Sequence, residues 1–276
     1  MRMLDGALVA IAFLIVSPVT LGSAVAADMP EYPPIIDMPE PLPIVATGGW
    51  YLRGDIGYKF YNDPTAELSN PNYASGTYTG GRGSLIDESL DDAYNVGIGA
   101  GFRFNEYFRT DLTLDYESPA GFEGRLFCPG PVSGSCGASG VDLDGDGTND
   151  GYSTERADIT AWSALANAYV DLGTYAGLTP YVGAGAGLSY LTTSDVRTAG
   201  GSTYNGDGKF NFAWALMAGA SYAVDQQVSI DVGYRYINLG DAQSGVIVAS
   251  DTTTTRINYN DIDAHEIRVG LRYNLY

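Results

Sequence analysis

The sequence predicts an all-β chain: an eight-stranded antiparallel transmembrane β-barrel with four long extracellular loops and short periplasmic turns. Three observations carry that prediction. Eight segments alternate apolar and polar residues with the period of two that sends successive side chains to opposite faces of a strand. The connections between them alternate between long and short, as in barrels whose two rims differ. No charged side chain falls on the apolar face of any of the eight, as contact with hydrocarbon demands, because Arg or Lys at the bilayer midplane costs about 2–4 kcal/mol.

Taken in order, residues 1–27 read as a secretory signal peptide, with Arg2, the apolar run "ALVAIAFLIV" from Ala7 to Val16, and "GSAVAA" supplying small residues for cleavage after Ala26 or Ala27. An apolar core of about ten residues is too short to span a bilayer as a helix, which takes roughly 20. Residues 28–48 form a periplasmic leader with six prolines, extended in character and without the means to bury a core. The barrel is assigned to 49–276.

The first strand is "WYLRGDIGYKF", with Trp50, Leu52, Ile56, Tyr58 and Phe60 on one face and Arg53, Asp55 and Lys59 on the other. The same alternation marks 94–104, 108–117, 159–172, 178–191, 210–224, 227–238 and 263–275. Long connections occupy 61–93, 118–158, 192–209 and 239–262. Short turns lie at Asn105 and Glu106, at Gly173 to Gly177, and at Asp225 and Gln226. An even strand count puts both termini on the periplasmic side. Aromatic residues at strand ends, Trp50, Phe60, Phe104, Tyr107, Phe108, Tyr273 and Tyr276, suit the girdles at the two membrane interfaces.

The face away from lipid carries Arg53, Lys59, Arg103, Arg109, Arg235, Arg268 and Arg272 against Asp55, Asp111, Asp115, Glu117, Asp171, Asp231 and Glu266. With seven of the 14 basic and seven of the 33 acidic side chains inside, the whole net charge of −19 falls on loops and tails. A soluble eight-stranded barrel would invert this arrangement, with apolar residues inside. The triplet Arg53-Gly54-Asp55, which spells an adhesion signal, reads on this phasing as two members of an interior ion-pair network. The acidic balance opposes nucleic-acid binding, which needs a basic surface.

Cys128 and Cys136, the only cysteines, predict a local disulfide in an exported protein, closing one small loop. Just beyond it, "DLDGDGTNDG" places Asp142, Asp144, Asp146 and Asp150 at calcium-loop spacing with Gly147 at the sharp turn. The bidentate Glu of such loops is Ser153 here, and Glu155 comes two residues late. Weak Ca²⁺ binding and a solvating acidic turn both remain open. His265, the single histidine, has no serine sharing its face nearby and reads as interfacial, not as a catalytic base. The glycines of "GIGAG" and "GAGAG" alternate along strands and make room for long inward side chains.

The segments "GWYLRGDIGY", "VGIGAGFRF", "YVGAGAGLSY" and "EIRVGLRYNLY" resemble the small outer-membrane β-barrel family of alphaproteobacteria, the outer membrane immunogenic protein type, related in fold to the OmpA transmembrane domain and the opacity proteins. The resemblance runs from Gly48 to Tyr276 and implies residence in the Gram-negative outer membrane, in contact with lipid and lipopolysaccharide, after insertion by the barrel assembly machinery. Gly270, Tyr273 and Leu275 keep the terminal spacing that machinery recognises, and Tyr276 adds one residue beyond it. The expected role is structural and antigenic, not enzymatic, with acidic loops that bind divalent cations. The alternatives are a small-solute porin and an adhesin or receptor acting through "GTYTGGRGSLIDESLDD" and "GSTYNGDGK", which would meet a host or surface ligand.

Overall fold

The computed structural model describes residues 48–70, 84–128, 137–138, 147, 151–198, 201–248, 252 and 254–275, all within the compact unit Val45–Tyr276. The signal peptide, the leader up to residue 47, Cys136, the carboxylates Asp142, Asp144, Asp146 and Asp150, and Tyr276 lie outside the described residues, as does the side chain of Cys128.

Eight long strands close into an antiparallel ring: β1 Gly49–Tyr61, β2 Ala93–Arg103, β3 Phe108–Cys128, β4 Gly151–Asp171, β5 Leu178–Thr193, β6 Gly208–Ala223, β7 Val228–Gln243 and β8 Ile257–Asn274. Each pairs with its neighbours in sequence. The ring closes where β1 pairs with β8, from Tyr51 opposite Asn274 to Tyr61 opposite Ala264. Closure satisfies the backbone groups that an open edge would leave bare in lipid. The short turns are held locally: Asn105 Oδ1 accepts from the backbone of Tyr107 and Phe108 at 2.9 and 2.8 Å, and Asp225 Oδ1 accepts from Gln227 and Val228, both at 2.7 Å.

Within the bilayer the two faces have opposite character. Ile56, Ile98 and Leu112 are 64, 67 and 68 % exposed toward lipid, whereas Lys59, Asp115, Glu117 and Glu266 on the other face are 0 % exposed.

Toward the extracellular side the strands run further than the alternation alone predicts. β3 continues to Cys128 and β4 starts at Gly151, so much of the connection 118–158 is a β-ribbon. β8 starts at Ile257 and β7 reaches Gln243. The physical reason is a change of phase. A register shift between Glu117 and Ala120 inserts an extra residue, so that Ala120 and Phe122 point inward on even positions although Asp115 and Glu117 did so on odd ones. Similar shifts occur at Gly240, where φ is +83°, and beside Asp261, where φ is +57°.

Beyond these bulges water replaces lipid outside the wall, and the polarity of the wall reverses. Leu85, Leu90, Phe122, Ile159, Val196, Leu239, Ile257, Tyr259 and Ile262 form a buried apolar core inside the extracellular end, while Glu123 and Arg125 point out. Short strands thicken this end, among them Thr65–Leu68 paired with β8, Ile86–Leu90 with β3, and Val196–Thr198 with β4. The ring therefore contains two stacked fillings, ionic in the membrane and apolar above it.

Candidate functional site

The ionic filling is built from alternate residues of β1, β3, β4, β7 and β8. Arg235 donates to Glu266 and Asp115 at 2.7 and 3.0 Å, and Arg268 reaches Asp115 at 2.8 Å, Glu266 at 3.4 Å and Asp55 at 3.5 Å. Arg53 bonds Asp55 at 2.7 Å, Asp111 at 2.9 Å and the Tyr169 hydroxyl at 2.9 Å. Lys59 pairs with Glu117, which also accepts from Tyr61. Nearer the periplasm Arg109 pairs with Asp171 at 3.1 Å, and Arg272 lies 3.5 Å from Asp231.

Thirteen of the fourteen charged residues assigned to the interior are buried, and Arg103, at the periplasmic rim, is half-buried with no carboxylate partner among the described residues. Arg53 and Asp55 bind each other inside the wall, so the adhesion-like triplet presents neither side chain to a partner.

Close approach of the backbone makes the network possible. A Cβ on Gly97 would lie 2.1 Å from Asp115 Oδ1, and one on Gly270 would lie 2.2 Å from Asp55 Oδ1. The alternating glycines are thus cut-outs for the charges of the facing strand.

The sequence reasoning missed the tyrosines that complete this filling. Tyr51 donates to Thr110 O at 3.2 Å and Asp111 at 3.1 Å, and Arg109 lies 4.4 and 4.7 Å from the ring centroids of Tyr169 and Tyr181. The available signal was parity: all three occupy the positions that carry the charges.

The extracellular cap has its own chemistry. Phe122 and Tyr259 meet edge to face at 4.6 Å. Glu155 is buried in the same wall; Ser153 Oγ donates to its Oε1 at 2.6 Å, and its Oε2 and the Tyr259 hydroxyl have no hydrogen-bond partner among the described residues. Burial holds the Glu155 carboxyl above its ordinary range. On the outer surface the Arg256 guanidinium holds Asp207 below that range, Lys209 pairs with Asp241 at 3.0 Å, and Arg156 pairs with Glu123 at 2.7 Å.

His265 faces outward at the girdle, its Nδ1 engaged with the Tyr234 hydroxyl at 2.6 Å and its ring between Tyr234 and Tyr236. That is the interfacial placement, continued round the wall by Trp214 with Tyr236 and by Tyr116 with Trp162.

Comparison with known proteins agrees with this geometry. Residues 45–274 match the family model described as the outer membrane protein beta-barrel domain. An uncharacterized protein of Brucella suis is 35% identical over 286 residues, covering 96% of this chain and 97% of its own length. A Rickettsia bellii protein described as a candidate adhesin is 25% identical over 232 residues, covering 82% and 88%. Among solved structures the outer membrane protein OprG of Pseudomonas aeruginosa superposes with a TM-score of 0.50 at 15% identity, covering 83% of this chain and 97% of that one, a likeness of fold alone. With its closed eight-stranded ring, lipid-facing apolar belt and ionic interior, the chain belongs to the outer-membrane β-barrel family and resides in the Gram-negative outer membrane.

Proposed function

We propose that the protein serves the cell surface through its extracellular cap, as an antigenic contact layer that also reinforces the envelope, and not as a conduit. The observation that carries this reading is the double filling of the bore: buried ion pairs across the membrane section and a buried apolar core above them. An eight-stranded ring leaves an interior just wide enough for side chains. What faces the medium is the cap.

The cap's character narrows its partners. Asp63, Glu67, Asp91, Asp92, Glu123, Asp158, Asp195 and Asp261 are exposed on it, so a fitting ligand is cationic, or is an anionic surface such as lipopolysaccharide joined through divalent cations. The acidic stretch from Asp142 to Asp150 would add to that capacity, with Ca²⁺ as the proposed ion. The relative described as a candidate adhesin supports a contact role.

Single-channel recording of the folded protein in a planar bilayer tests the reading. A silent bilayer with the protein shown inserted and heat-modifiable is the expected result. Steady openings would favour the porin alternative and overturn it.

A further inference from the structure

The fourteen interior charges balance as a set but not level by level. In the middle of the bore Arg53, Lys59, Arg235 and Arg268 face Asp55, Asp111, Asp115, Glu117 and Glu266. At the periplasmic end Arg103, Arg109 and Arg272 face, among the described residues, the carboxylates of Asp171 and Asp231. One positive charge is left over at the mouth, where the surrounding wall is a poor dielectric and an uncompensated charge is costly.

The donors at the mouth are also incompletely used. Arg272 Nε and Nη1, Arg109 Nη2 and Arg103 Nε make no hydrogen bond among the described residues, although Arg109 and Arg272 are only 1 and 2 % exposed. Their ring contacts explain how this arises. Arg272 lies 5.4 Å from the centroid of Tyr51, and Arg109 lies over Tyr169 and Tyr181. Aromatic faces hold the guanidinium planes and leave N–H edges free. Each arginine has one strong commitment on its other side: Arg109 Nε to Asp171 at 3.1 Å, and Arg272 Nη2 to Ser221 Oγ at 2.6 Å. Asp231 Oδ1, 3.5 Å from Arg272, accepts no hydrogen bond among the described residues. Arg103, Thr179 and Asn274 at this end are half-buried.

We propose that this periplasmic mouth is a binding site for a small oxyanion of the phosphate class, held by Arg103, Arg109 and Arg272. Guanidinium forks match tetrahedral oxyanions in geometry and charge. Occupancy supplies acceptors to the free N–H groups and cancels the surplus charge. The bore above stays filled, so the anion enters and leaves by the periplasmic end.

The test is titration of the folded full-length mature protein in micelles with inorganic phosphate. It is read by the Nε–Hε resonances of ¹⁵N-labelled arginine, with sodium chloride at matched ionic strength as the reference. Saturable shifts confined to a few arginines are expected with phosphate and not with chloride. A parallel titration with glycerol phosphate distinguishes a free ion from a lipid headgroup as the source; saturation by either carries the site. Arg272→Gln and Arg103→Gln should each weaken binding by about tenfold or more, the loss of a charged hydrogen bond. Arg103 gives up no ion pair among the described residues, so its variant decides the matter if Arg272→Gln fails to fold. Shifts that follow ionic strength alike for both salts, or an Arg103→Gln variant with unchanged affinity, would overturn the proposal.

Discussion

Gly97 on β2 stands opposite Asp115 on β3, and a Cβ at the glycine would fall 2.1 Å from the Asp115 carboxylate oxygen. That oxygen is also the acceptor for Arg268 at 2.8 Å. A methyl group at 97 would therefore have to displace the carboxylate from its guanidinium. Gly97→Ala is expected to destabilise the barrel by about 1–3 kcal/mol, the range for overpacking a filled interior. A lower urea midpoint for the gel shift between folded and unfolded forms measures it. An unchanged midpoint would show that the network has slack.

Asp115 holds two cations, Arg235 and Arg268, in a wall where neither has water to turn to. Asp115→Ala is expected to cost about 3–5 kcal/mol, because removing one partner leaves buried charge unpaired. Replacing the carboxylate and Arg235 together, as Asp115→Leu with Arg235→Met, should recover a large part of that loss. Additive losses in the double variant would mean that each residue is needed for its shape and not for its charge.

How much of this could be read from residues alone depends on where the surroundings change. In the membrane section the environment is constant, so alternation in "WYLRGDIGYKF" sorts Ile56 from Lys59 without ambiguity, and thirteen of the fourteen interior charges are in fact buried. Above the membrane the same alternation reverses its meaning, since water now lies outside. Phe122 and Tyr259 then sit inside on the parity opposite to that of the charges below, because bulges have inserted a residue in each strand. Nothing local in "YESPAGF" announces that slip except Ser118 and Pro119, and a proline there reads equally well as a loop.

The cap should be more stable in mild acid than at neutral pH. Burial raises the Glu155 carboxyl above its ordinary value of 4.5, so the folded state holds a proton that the unfolded state has released. Stability is then undiminished below the ordinary value and is lost as pH rises through the raised one. Among the described residues no charged partner offsets this, and Ser153, Thr198, Tyr204 and Tyr259 are polar groups near Glu155. Hydrogen exchange in 196–198, 203–204 and 257–262 is expected to be slower near pH 5 than near pH 7.5, and Glu155→Gln should flatten the difference. The same pH dependence in Glu155→Gln would move the effect to another group.

The bulge between Glu117 and Ala120 makes a sharper demand, because the phase of the whole β3 extension hangs on one extra residue. Deleting Ser118 would leave a step of two residues on β3 against two on β4 between Glu117 and Ala120, so that alternation runs unbroken and Phe122 keeps its inward place opposite Ala157. The membrane section lies on the far side of the deletion and keeps its register, so the protein should still insert and still shift on a gel. The cap should survive, because Phe122 stays in the core and Glu123 stays on the outer face beside Arg156, and only the local twist of the bulge is lost. External protease should cut within 120–128 and 151–157 in the variant only at doses that also cut the parent there. Readier cleavage in the variant would show that the bulge holds the ribbon by its local twist and not only by the phase it sets.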